Sequence, residues 1–142
     1  MGGSEETGGI YRALWAAFAV QVAGRLLDFW WHSTHDGFET GRDQLTAHWL
    51  VWLGTIFVLA VAIRALRADL PDPERRGYLV VLWSNALYVV VAVIHFLQHL
   101  DHQEVDWAHM SLAVTNIGSV VGVAMVTATR TRRLSPQARG EA

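Results

Sequence analysis

Apolar residues along this chain fall into long runs at about 10–31, 45–65, 78–100 and 107–127. Each is near the roughly 20 residues that a helix needs to cross a bilayer. None shows the strongly polar face of a soluble amphipathic helix. The first run is the least clean, because it holds Gln21, Arg25 and Asp28. Breaker residues separate the runs: two glycines in HDGFETGRDQ and two prolines in ADLPDPERRG. The pattern predicts an all-α fold, a four-span transmembrane helix bundle made of two helical hairpins. Residues 1–130 would form one domain and 131–142 a polar cytoplasmic tail. The opening MGGSEETGG is acidic and does not read as a secretory leader, so the first run is expected to stay in the protein.

Composition sharpens this picture. The chain is 52% hydrophobic and 17% charged, less charged than soluble domains of similar size. It has no cysteine, which excludes disulfides, thiolate metal sites and thiol nucleophiles. All 11 basic residues are arginine, and their placement orients the spans. Arg12 precedes the first run, Arg64, Arg67, Arg75 and Arg76 surround the middle loop, and Arg130, Arg132, Arg133 and Arg139 lie near the C-terminus. Positive charge concentrates on the cytoplasmic side, so both termini and the middle loop are predicted there. The expected location is a bacterial-type cytoplasmic membrane. The other two loops are acidic and would face outward.

All 7 histidines flank those outward loops. His32, His35 and His48 belong to the first, and His95, His99, His102 and His109 to the second. Asp28 and His32 are four apart and share a helix face. His95, His99 and His102 follow i, i+4, i+7 along one stripe. Helix ends at similar depth in a bundle can converge on an internal metal site, and ionisable residues within a span mark functional interiors. The candidate ligands are Asp28, His32, His48, His95, His99, His102 and His109. His35, beside Asp36 in a loop, reads as solvated. Single histidines such as His102 or His109 are also ordinary at an interface. Asp28 has a competing partner in Arg25, three residues earlier. Trp30, Trp31, Trp49, Trp52 and Trp107 fit an interfacial aromatic belt.

The donor set is rich in nitrogen and poor in buried carboxylate. Copper, zinc and iron all suit imidazole, and haem between facing histidines, such as His32 with His95 or His99, is also open. Copper gains weight from the extracytoplasmic location. The order Asp28-x3-His32, followed by His48 at the start of the next span, resembles the membrane copper motif in the C subunit of particulate methane and ammonia monooxygenases. That resemblance covers the first hairpin, and it implies ligand roles for Asp28, His32 and His48 in a complex that oxidises small inert substrates. The histidine clusters are also similar, more loosely, to those of membrane di-iron hydroxylases and desaturases, which carry theirs on the cytoplasmic side.

Two functional classes follow. One is a copper-dependent membrane oxidoreductase, or a subunit of one, with a small or lipid-borne substrate. The other is non-catalytic: a copper or zinc carrier, an assembly factor, or a haem-binding electron-transfer subunit. A blander reading makes the chain a homo-oligomer or a small subunit of a larger membrane complex, with pH-sensitive histidines at its interfaces. No nucleotide loop, catalytic serine order or nucleic-acid surface is visible.

Overall fold

The computed structural model describes residues 2–34, 41–100 and 106–135. They form four helices: α1 (Gly2–Thr34), α2 (Gly41–Arg67), α3 (Asp72–Leu100) and α4 (Asp106–Leu134). No strand occurs among the described residues. The short connection between α2 and α3 follows from its sequence. Arg64 and Arg67 close α2, where cations suit the negative end of the helix dipole. The Ala68 amide then donates to the Ala65 carbonyl and tightens the exit. Pro71 cannot continue a helix, and Pro73 suits the first turn of α3, where its missing N–H costs nothing.

Three helices contain stretches long and apolar enough to cross a membrane: His48–Arg67, Asp72–Gln98 and Met110–Leu134. α1, expected as the first span, is not among them. Gln21, Arg25 and Asp28 lower its hydropathy, yet Gln21 is fully buried in the bundle while Trp15, Val22, Leu26 and Phe29 are exposed. α1 therefore carries its polar groups inward and its large apolar groups outward. The same inside-out arrangement holds on α3 and α4, where Trp83, Leu87, Val114 and Ile117 are exposed.

The interior follows a seam of alternating three- and four-residue steps. On α1 it runs through Ile10, Leu14, Ala17, Gln21, Gly24 and Asp28; on α2 through His48, Val51, Thr55, Val58, Ala62 and Ala65. On α3 it passes Glu74, Tyr78, Val81, Asn85, Tyr88, Ala92 and His95, and on α4 Thr115, Ser119, Gly122 and Val126. This is the spacing of near-antiparallel bundles. α1 packs along α2, α3 along α4, and α2 against α3 joins the pairs. Small residues set the closest approaches. A Cβ on Gly54 would meet the Gln21 backbone at 2.5 Å, and Cβ atoms on Gly77 and Gly122 would meet Val126 and Val81 at 2.7 Å. Gly118 and Gly122 on α4 form the small-xxx-small pattern that lets membrane helices approach. Gly54→Ala should force α1 from α2 and cost about 1–3 kcal/mol, as overpacked cores do; unfolding in mixed detergent micelles would measure it.

Candidate metal centre

The last turns of α1 and the first of α2 place Asp28, His32 and His48 together. The seam carries Asp28 toward α2, and His32 stands one turn further on the same face. His48 lies one seam step before Val51, opposite Asp28. The His48 Nε2 atom lies 3.1 Å from Asp28 Oδ1 and the His32 Nε2 atom 3.5 Å from it. One donor atom from each of the three residues lies within 4.8 Å of the others, so the group could hold a metal ion. The two imidazole rings meet edge to face, 5.8 Å apart at 77°.

These separations have a chemical meaning. An ion bonded to nitrogen and oxygen at about 2.0–2.2 Å holds neighbouring donors roughly 3.0–3.5 Å apart. The two Nε2–Oδ1 distances match. Asp28 Oδ1 is itself buried and accepts no hydrogen bond, although both imidazoles approach it.

The three groups stand on the wall of a cavity of about 370 Å³. Residues from all four helices line it, with Phe29, Trp52, Tyr88, Ala92, Phe96 and Leu112 supplying the apolar part. That volume is at the lower end of the range for small-molecule pockets. His95, buried on α3, also lines it, outside the Asp28–His32–His48 group. His99 and His109 lie in α3 and α4, with side chains outside the described ones, and His102 and His35 fall outside the described residues.

Arg25 interacts with Asp28 through its charge and also reaches across the bundle. Its guanidinium lies over the Tyr88 ring, 4.6 Å from the centroid, and its Nη2 atom is buried without a hydrogen-bond partner. One turn deeper is a polar network that sequence reasoning missed. Gln21 Nε2 donates to Thr55 Oγ1 at 2.9 Å and to Asn85 Oδ1 at 2.6 Å. Asn85 Nδ2 donates to Ser119 Oγ at 2.8 Å, so each helix contributes one group. The available signal was spacing: Leu14, Gln21 and Asp28 stand at seven-residue intervals.

A second buried ionic group closes the far end of the bundle. Glu74 is almost wholly buried, 3.4 Å from Arg130 and 3.2 Å from Arg133. Arg130 also donates to the Thr7 carbonyl at 3.0 Å and lies over the Tyr11 ring. It thereby ties α4 to α1. Comparison with protein-family models, curated proteins and solved structures returns no significant match, so the reading of this metal centre rests on its own geometry.

Proposed function

We propose that this chain is an integral membrane copper protein, with Asp28, His32 and His48 as ligands at the outward end of a four-span bundle. The observation that carries the reading is the convergence of two imidazole nitrogens on one buried carboxylate oxygen, at ion-bridging separations. Two nitrogens and one oxygen accept several divalent ions, and copper binds most tightly to such a set among the first-row metals. Three ligands on one wall leave the remaining positions directed at a cavity, the arrangement of a catalytic rather than a closed structural site. We therefore assign the chain to oxidoreductases, as an enzyme or a subunit of a larger membrane complex. The likeness of Asp28-x3-His32 and His48 to the copper motif of the monooxygenase C subunit supports the same choice.

α1 is read as the fourth span because its polar groups point inward and its outward face is apolar. The outward position of the site is supported by nine of the 11 arginines, which the sequence puts near the two termini and the middle loop rather than in the loops flanking the histidines. Single cysteines at Glu39 and Glu104 should label from outside intact cells; protection of both would reverse the orientation.

The metal assignment is tested by loading purified full-length chain with Cu(II), Zn(II) or Fe(II), removing free ion and measuring metal per chain. One copper should be retained, more tightly than zinc. Preferential retention of zinc or iron would replace the copper assignment, and retention of no ion would remove the site.

A further inference from the structure

The interior contacts can be ordered along the bundle axis. Asp28 with His48 comes first, then Arg25 on Tyr88, then Gln21 with Thr55, Asn85 and Ser119. These steps descend about 10 Å from Asp28 to Gln21, seven residues at 1.5 Å each. Beyond them the interior changes character. Leu14, Val58, Ala62, Val81, Val123 and Val126 are each at most 2% exposed and fill it with hydrocarbon. Tyr78 is buried within this cluster, and past it lies the Glu74–Arg130 pair.

Buried polar atoms without a hydrogen-bond partner occur in both halves, the Tyr78 hydroxyl and Thr127 Oγ1 lying in the other, but in the polar half three of them follow one helix. Asp28 Oδ1, Arg25 Nη2 and Gln21 Oε1 are all buried, and none has a hydrogen-bond partner. They descend one helix in steps of three and four residues. Unsatisfied polar atoms at membrane depth are strongly disfavoured unless they line a water-filled space. The cavity of about 370 Å³ meets the top of this ladder through Asp28 and Tyr88. Successive rungs are about 4.5–6 Å apart along the helix, a gap that one bridging water can span.

We infer that the site half of the bundle is an aqueous half-channel, running from the cavity past Arg25 to the Gln21–Asn85 network and sealed there by the aliphatic layer. Its occupants are water and the small hydrated cations and protons that water carries. The half-channel supplies the proposed metal centre from one side of the membrane only. The aliphatic layer offers no ligand with which to pass an ion onward. The chain therefore works as a one-sided site and not as a route for metal across the bilayer.

The absence of cysteine makes the test direct. Single cysteines are introduced at Ala92, Thr115, Ser119, Val58 and Val123 in the metal-free full-length chain, reconstituted in liposomes. The probe is a small cationic methanethiosulfonate, applied to either side. Ala92→Cys, Thr115→Cys and Ser119→Cys should react from the site side, at least ~100-fold faster than Val58→Cys and Val123→Cys react from either side. Thr115→Cys carries the test if Ser119→Cys fails to fold. Reaction at Thr115 and Ser119 no faster than at Val123 would overturn the half-channel. Fast reaction at Val58 and Val123 would overturn the seal. Because metal-free protein is used, loss of the copper assignment leaves this result standing, and the reverse also holds.

Discussion

Replacing His48 with alanine is expected to weaken metal binding by more than about 100-fold, exceeding the 10–100-fold cost of losing a group that merely supports a ligand. His48 makes the closer approach to Asp28, at 3.1 Å, and its side chain is the less exposed of the two imidazoles. Its removal leaves one nitrogen and one carboxylate, too few donors to hold an ion against water. His32→Ala should act in the same direction. His95→Ala should cost about 10-fold or less, since His95 lines the cavity without joining the three-residue group. Competition titration with a chelator of known affinity measures all three. Equal affinity in the His48→Ala and wild-type proteins would exclude His48 as a ligand.

Glu74→Ala is expected to be the most destabilising single change at the opposite end, by about 3–5 kcal/mol. The Glu74 side chain is 1% exposed and faces two guanidinium groups. Its loss strands Arg130, which is mostly buried, and loosens the tie that Arg130 makes to Thr7 on α1. Arg133 is more than half exposed and would turn to solvent at little cost. Most of the penalty thus falls on Arg130. Unfolding in mixed micelles should show the loss, while copper affinity at the distant site stays within a few-fold of wild type. A stability change below about 1 kcal/mol would mean that Glu74 is not holding the helix ends together.

Helix number was legible in the sequence, because apolar run length and the Gly- and Pro-containing breaks are strong signals. Asp28, His32 and His48 were legible only as part of a seven-residue ligand set that also held His95, His99, His102 and His109: four-residue spacing fixes one face, and a hairpin brings the next helix alongside, but His95 stands outside the group. The seam was not. In a soluble bundle, outward positions are polar and the three–four period stands out. Here Leu87, Val90 and Val114 face outward and are as apolar as Val81 or Val123 within. Hydropathy therefore carries no contrast between the faces. What marks the inner face is polarity, in Gln21, Thr55, Asn85 and Ser119. Read as a blemish in the first span, Gln21 was instead the first sign of a network joining all four helices. The same effect explains why α1 falls short on hydropathy while presenting an apolar surface. Arg25, which the spacing offered as a competing partner for Asp28, also finds the Tyr88 ring, whose face receives the guanidinium across the bundle.

The central claim is that one ion is held by Asp28, His32 and His48 together. Its most direct test is the electron paramagnetic resonance spectrum of the Cu(II)-loaded chain, compared with the Asp28→Asn/His32→Ala/His48→Ala variant. The wild type should bind one Cu(II) with splitting from two imidazole nitrogens, and the triple variant should return only the spectrum of free or loosely held copper. The same spectrum and stoichiometry in both proteins would contradict the account.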